Sequence, residues 1–416
     1  MNLNIKLDSV VSRLAITSLA VMLVAPSLKI RFALTDLIVY VIPFGLFVFF
    51  NCFANIVAIQ TVVPRIRACL VFAFAFAGPM IAFSVGAGAE SGLLGTIALN
   101  MSVGVLVLLF PWNVKNLHAF IQTLAILGVV LSINTLLFYG SDEELQFLVD
   151  VDGNSYFNVS YLQTSFAMGL GVICATYLVV QKISPVTLIV FIAGWLGLAV
   201  GRGRGALIFC IVVSVLYLLV VFNSSVSTLD KRKKFALVLM IISFVPVVLA
   251  QTFKVARNSE GIKNLLSTID IADTETARID LIKVAVDRIS ESPFIGNGLG
   301  AYIDNDAENY PHNLFLQWAV DSGFIGLLLF GVFWLLIGRA VLRSLKISDA
   351  VTVNLVYVCA GLSLYVLLNY LKSSDAYMGR DINILSIMPI ACLLAIQMTN
   401  YSKQRKHRHK RRRRRR

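Results

Sequence analysis

Three short stretches carry side chains that are expensive in an apolar setting. The first is "AVGRGRGALIF", residues 199–209, which sets Arg202 and Arg204 among Gly201, Gly203 and Gly205. A guanidinium is a planar fork of donors suited to phosphate oxygens, and glycine lets another group come close to the backbone. The pair is either an anion site or two cations snorkelling at a membrane interface. The second is "TETARIDLIKVAVDRISESPF", residues 274–294. Wound as a helix at about 100° per residue, it puts Leu281, Ile282, Ala285 and Ile289 within about 60° of Arg278. Asp280, Lys283 and Asp287 fall on the far side. A cation in the middle of an apolar face needs an anionic partner. Either a structural carboxylate, such as Asp375 or Asp381, or the phosphate of a ligand would serve.

The third stretch is "YPHNLFLQWAVDSGFIGLLLF", residues 310–330. His312 stands between Tyr310 and Asn313 at the mouth of an apolar run. A neutral imidazole there can accept a proton near neutral pH, or it can simply cap the end of a helix at an interface. Asp321 lies inside the same run, where an acid needs a partner. The stretch "NYLKSSDAYMGRDIN", residues 369–383, adds Asp375, Arg380 and Asp381. Histidine and carboxylates are too scattered to give the spacing of a metal site. The glycines at 296, 298 and 300 do not make a nucleotide loop, because a helical pattern ending in proline precedes them where a strand would be required. They predict a tight turn that returns the chain to the membrane.

These groups must be positioned by membrane helices. The chain has 416 residues, of which 58% are hydrophobic and 14% charged, against roughly half apolar and a quarter charged in soluble domains. The excess is arranged in continuous runs of about 20 residues, the length that crosses a bilayer core, and the runs do not alternate as barrel strands do. The predicted class is an all-α polytopic membrane protein with about twelve transmembrane helices. They fall near 12–28, 34–56, 66–85, 93–111, 117–138, 160–181, 186–201, 205–222, 234–251, 313–337, 351–371 and 382–399. One long, partly helical loop, about 252–312, joins the ninth and tenth. A loop of that length in a compact protein is commonly functional. The membrane domain is 1–402, and neither an internal repeat nor a soluble domain is visible in it.

Lys and Arg collect in cytoplasmic loops. With the N-terminus inside, the inner turns hold Arg65 and Arg67, Lys115, Lys182, the "DKRKK" run at 230–234, and Arg339, Arg343 and Lys346. The outer loops then hold Glu90, the acidic "SDEELQFLVDVDGN" at 141–154, and the long 252–312 segment. Both termini are expected to be cytoplasmic. Arg202 and Arg204, with Lys29 and Arg31, face outward against that bias.

The net charge of +13 belongs largely to the end of the chain, where residues 403–416 hold eleven Lys and Arg and leave +2 for the rest. That basic tail is expected to be a disordered cytoplasmic end that fixes topology and lies on anionic lipid; its charge does not make the membrane domain a nucleic-acid binder. The six cysteines sit in or beside apolar segments without a C-x-x-C pair, and are expected to be small buried hydrophobes. The first apolar run lacks a small-residue cleavage site after it and is expected to be a retained helix.

Together "GRGRGAL", "ARIDLIKVAVDRISESPFIGNGLGAY" and "YPHNLFLQWAVDSGFIG" resemble the O-antigen ligase and O-antigen polymerase superfamily of bacterial envelope glycosyltransferases. The resemblance is detailed over about 160–345 and elsewhere is one of span count and hydropathy. It implies a cofactor-free and metal-free enzyme of the bacterial inner membrane with its active site on the periplasmic face. Its donor would be a glycan on undecaprenyl pyrophosphate. The acceptor would be another carrier-linked glycan, in a repeat-unit polymerase of O-antigen or exopolysaccharide, or the lipid A core, in an O-antigen ligase of lipopolysaccharide biosynthesis. The wording of the third motif and the compact 252–312 loop lean toward the polymerase. By the resemblance, Arg204 and Arg278 hold the pyrophosphate and His312 activates the acceptor hydroxyl. Arg202 is an extra cation in the first motif, and Asp321 stands where the superfamily commonly has Glu. Arg380, Tyr310 and Asn313 are additional site candidates. Membrane lipids and a chain-length regulator are the further partners it suggests. A lipid-linked-substrate transporter using the same arginines without chemistry is the alternative from another class, but paired broken helices in matching halves, which would mark one, are not seen.

Overall fold

The structure, a computed structural model, describes residues 2–28, 38, 41–57, 65, 68–69, 91–137, 157–201, 203–223, 270–298, 301, 313–373 and 380–415. Among the described residues the chain is helical and has no strand. The helices are α1 (Asn2–Val24), α2 (Ile42–Val57), α3 (Ser91–Leu109), α4 (Val114–Leu137), α5 (Phe157–Gln181), α6 (Pro185–Val200), α7 (Arg204–Asn223), α8 (Asp270–Glu291), α9 (Leu314–Ile347), α10 (Ala350–Ser373), α11 (Arg380–Leu385) and α12 (Met388–Arg415). Ten of the twelve expected spans coincide with these helices. The expected spans at 66–85, except for residues 68–69, and at 234–251 lie outside the described residues. Five helices among the described residues are long and apolar enough to cross a membrane, and five shorter apolar helices accompany them. The described residues are all-helical, consistent with a polytopic membrane protein.

The packing follows from small residues placed where helices meet. Without a solvent-driven hydrophobic force inside lipid, membrane helices associate through close van der Waals contact. Gly128 of α4 and Gly171 of α5 face each other so closely that a Cβ on Gly171 would lie 2.6 Å from the Gly128 Cα. One turn on, Ser132 of α4 meets Gly197 of α6, where a Cβ would strike the Ser132 backbone. Gly169 of α5 leaves room for the hydroxyl of Tyr365 of α10, which donates to the Phe166 carbonyl at 3.3 Å while its ring stacks on Phe166. Helices α4, α5, α6, α7 and α10 pack around these contacts, with α9 and α12 against α10. Ser184 caps α6 reciprocally with Thr187, and Pro185 opens that helix, a position where proline sacrifices no internal hydrogen bond.

Three expectations are corrected. The 313–337 span is not one straight helix. Gly323 has φ +62 and ψ −167 inside α9, a backbone conformation essentially confined to glycine. Trp318 and Phe330 stack with ring centroids 4.6 Å apart, whereas twelve residues of straight helix would separate their backbones by about 18 Å. A first limb, 314–322, therefore meets a second, 324–347, across a sharp bend lined by Phe315, Trp318 and Phe330. The 382–399 span is likewise interrupted, by a turn at Ser386–Ile387 between α11 and α12. The basic tail, expected to be disordered, continues α12 as helix to Arg415. Lys and Arg are good helix formers, and positive charge suits a helix C-terminus.

Cys174, Cys210, Cys359 and Cys392 are buried and Cys69 is half-buried, while Cys52 is exposed against expectation; all six are free thiols. Cys52 lies on a face of α2 that also exposes Phe49 and Phe53.

Candidate functional site

The "GRGRG" stretch forms the bend between α6 and α7. The α6 helix closes where the Gly201 amide donates to the Gly197 carbonyl at 3.0 Å, and the next helix opens at Arg204. Ser165 of α5 holds the bend: its Oγ accepts the Gly203 N–H at 3.0 Å. Gly201 packs on the same helix, since a Cβ there would sit 2.9 Å from Met168 Cε and 3.1 Å from Ser165 Oγ. Arg204 is the first residue of α7, where unpaired N–H groups and the helix dipole favour an anion. Arg202 lies outside the described residues.

Gly205 meets a side chain from elsewhere in the fold. A Cβ on Gly205 would lie 2.8 Å from Lys372 Nζ and 2.9 Å from Lys372 Cδ. The lysine comes from the last turn of α10 and lies across the first turn of α7. Two residues before it, the Tyr370 hydroxyl donates to Asp381 Oδ1 at 2.7 Å and ties that turn to the start of α11. Asp381, one of the two carboxylates considered for Arg278, is thus engaged by a tyrosine. The backbone of Arg380 opens α11, and Asp375 lies outside the described residues.

The second stretch is a helix, as its periodicity predicts. Ala285 of α8 and Val320 of the first limb of α9 are both fully buried in one cluster, flanked by Leu281, Ile289, Ala301 and Leu316. Three of the four apolar positions expected beside Arg278 thus form the docking strip. The fourth, Ile282, is 45% exposed, because the strip packs on a single short limb and covers only a narrow face.

The glycine turn after α8 is the joint of the site. Bending α9 at Gly323 breaks two helical hydrogen bonds, leaving the carbonyls of Val320 and Asp321 and the amides of Phe324 and Ile325 without helical partners. The turn supplies all four. Asn297 N–H donates to Val320 O at 2.9 Å and Gly298 N–H to Asp321 O at 3.1 Å. In return, Phe324 N–H donates to Pro293 O at 2.8 Å and Ile325 N–H to Phe294 O at 3.1 Å. Gly296 (φ +77) and Gly298 (φ +100) shape the turn. A tight turn forms at Gly296 and Gly298 as expected, Gly300 lies outside the described residues, and the turn splices α8 onto the break in α9.

This splice sets a register. The end of α8 and the end of the first limb both lie at the joint, so both helices run toward it. Position 278 is seven residues before Ala285, and position 313 is seven before Val320. With about 1.5 Å of rise per residue, each lies about 10 Å back along its own segment from that contact. Asn313 is the N-cap of α9, its Oδ1 accepting from Phe315 N–H at 3.0 Å and Leu316 N–H at 3.2 Å. His312, its neighbour in the chain, and Tyr310 lie outside the described residues. Asp321 is fully buried at the other end of the limb, beside the joint.

No curated protein matches the chain. The segment that contains the bend, α7, α8, the joint and the beginning of the second limb does have a counterpart among protein families. Residues 189–331, about a third of the chain, match the family model described as O-antigen ligase, so over that segment the chain is similar to the superfamily its three motifs resemble.

Proposed function

We propose that the protein transfers a glycan from undecaprenyl pyrophosphate to an acceptor sugar hydroxyl at the periplasmic face of the bacterial inner membrane. The single observation that supports this reading is the docking of α8 on the first limb of α9 through Ala285 and Val320, with Arg278 and Asn313, the chain neighbour of His312, each seven residues before that contact. In this reading Arg278 and Arg204 hold the two phosphates. His312 takes the proton of the acceptor hydroxyl as its oxygen attacks the anomeric carbon. The bond from that carbon to the phosphate oxygen breaks on the opposite face, so the configuration inverts. Pyrophosphate is a good leaving group once its developing charge is met by bidentate donors. No metal is required. Both chain ends are cytoplasmic, which puts the bend before α7, the start of α9 and the end of α10 on the outer side. Arg202, Tyr310 and Arg380 are further polar groups for the sugars and phosphates.

Repeat-unit polymerisation is the reading we favour, from the compact 252–312 segment and the wording of the third motif. Ligation of the glycan to lipid A core is the second reading, favoured by the description of the matched family. The test offers purified protein a defined undecaprenyl-pyrophosphate glycan, either alone or with lipid A core. A ladder of products supports polymerisation, and a single shift of the core supports ligation. Neither product from intact protein overturns the enzymatic reading and favours a transporter.

A further inference from the structure

We infer that the joint between α8 and α9 is a membrane-seating surface: Phe294 and Ile295 enter the hydrocarbon of the bilayer, and α8 lies along its interface. Phe294 is 69% exposed and Ile295 is exposed beside it in the turn after α8. Large apolar side chains exposed together mark an interaction surface. The backbone bonds of the splice set them against Phe324 and Ile325, which are exposed as well, and Leu328 follows one turn on at 68% exposure. The surface of the turn is therefore continuous with that of the second limb. That limb belongs to a helix long and apolar enough to cross a membrane, and only 28% of the apolar stretch of that helix is buried within the protein. What covers Leu328 also covers Phe294.

Length sets the depth. Between Phe324 and the exposed Arg339 the second limb has no charged residue. At about 1.5 Å of rise per residue the two are about 22 Å apart, less than the roughly 30 Å of a hydrocarbon core. The long arginine side chain lets its charge reach water from a few ångströms inside. With Arg339 near one boundary, the other therefore lies at or beyond Phe324, and the joint is at hydrocarbon depth. Tilting the limb only shortens its reach. The α8 helix has the faces such a position needs. Ala285 docks on α9. Ile282 and Val286 are exposed on one flank of that strip, and Lys283, Asp287, Ser290 and Glu291 are exposed beyond them. A helix with apolar and polar flanks side by side suits the plane of the interface. The polar flank sets one cation against two carboxylates, so the attraction is to hydrocarbon and not to anionic headgroups. In the orientation proposed above the leaflet is the outer one; the seating holds in either.

The experiment places the photo-reactive residue p-benzoylphenylalanine at single positions of the full-length protein, in liposomes of neutral phosphatidylcholine, and reads adducts by mass spectrometry after illumination. The probe replaces Phe294, or Leu328 as the reference on the second limb, or Ser290 on the polar flank of α8. Lipid adducts are expected at Phe294 and Leu328, and far fewer at Ser290. The same probe at Ile295 reads the turn a second time, should the Phe294 variant not be monodisperse. Lipid adducts at Leu328 with none at Phe294 or Ile295 overturn the inference. Adducts between two copies of the chain at Phe294 overturn it in favour of a protein interface. Equal lipid capture at Ser290 removes the facial preference of α8, and capture at none of the positions removes the lipid-facing surface; either overturns it. Lipid capture requires no glycan transfer, so failure of this inference leaves the transfer reading standing, and failure of transfer leaves the seating standing.

Discussion

Gly296 and Gly323 are each seated where backbone at or beside the other excludes a side chain. A Cβ on Gly296 would strike the Asp321 carbonyl and the Ser322 amide, and one on Gly323 would strike the Phe294 carbonyl and lie 2.6 Å from the Gly296 amide nitrogen. Both have positive φ. This contact lets the turn after α8 satisfy the four backbone groups that the bend in α9 exposes. At membrane depth such groups must be satisfied within the protein, since lipid offers no partner.

Replacing either glycine by alanine is therefore expected to be severe. The strain of a side chain in these conformations and the steric overlap together cost on the order of 3 kcal/mol or more, a large part of the stability of an ordinary domain. Gly331→Ala, in the second limb of the same helix with open space around it, is expected to be neutral. Thermal unfolding of the three variants in detergent, followed by retention of the monodisperse peak, checks this. Equal transitions for Gly323→Ala and Gly331→Ala would remove the joint from the account.

A second prediction concerns the contact of α4 with α5 and α6. Gly128→Ala and Gly171→Ala should each push these helices apart and destabilise by about 1–3 kcal/mol. Because the two glycines oppose each other, their effects should be non-additive in the double variant. Gly338→Ala, with nothing near it, is the matched control. Thermal transitions of the single and double variants decide the matter, and strict additivity would mean that the two backbones do not share one contact.

The helices were largely legible in the sequence because a bilayer imposes a length on apolar runs, and hydropathy reads that length directly. The α8 helix was legible for a different reason: its apolar residues recur at helical spacing, and Leu281, Ala285 and Ile289 do form the docking strip. The bend at Gly323 was not legible. "WAVDSGFIG" is apolar on both sides of the glycine, so hydropathy runs through it without a mark, and what opens the helix is a backbone exchange with a turn 25 to 30 residues upstream. Ile282 was misplaced because a helical wheel gives a face but not the width of the surface that covers it.

A third prediction tests the cap next to His312. Asn313→Ala removes the acceptor for two first-turn amides and should cost about 1 kcal/mol of stability. Asn313→Asp and Asn313→Ser should retain the cap. If the cap fixes where the chain leaves the limb, and with it the position of His312, Asn313→Ala should lower kcat of glycan transfer more than it raises KM. The serine variant should recover most of that loss. A drop in kcat in Asn313→Ala that serine does not restore would point to a direct role of the amide with substrate.

The fourth prediction separates chemistry from binding at the proposed centre. His312→Ala is expected to abolish glycan transfer while leaving undecaprenyl-pyrophosphate binding within about threefold of wild type, since a base acts on the acceptor hydroxyl and not on the phosphates. Arg204→Ala and Arg278→Ala are expected to weaken both, because the charge they meet is present in the ground state and grows as the bond to the phosphate oxygen breaks. Arg278→Lys should recover less than charge alone would predict, since lysine cannot make the bidentate contact. Product formation from the purified variants, with carrier affinity measured in parallel, distinguishes these roles. Full transfer by His312→Ala would sink the base assignment. Loss of carrier binding in that variant would move the histidine from the acceptor side of the reaction to the donor side.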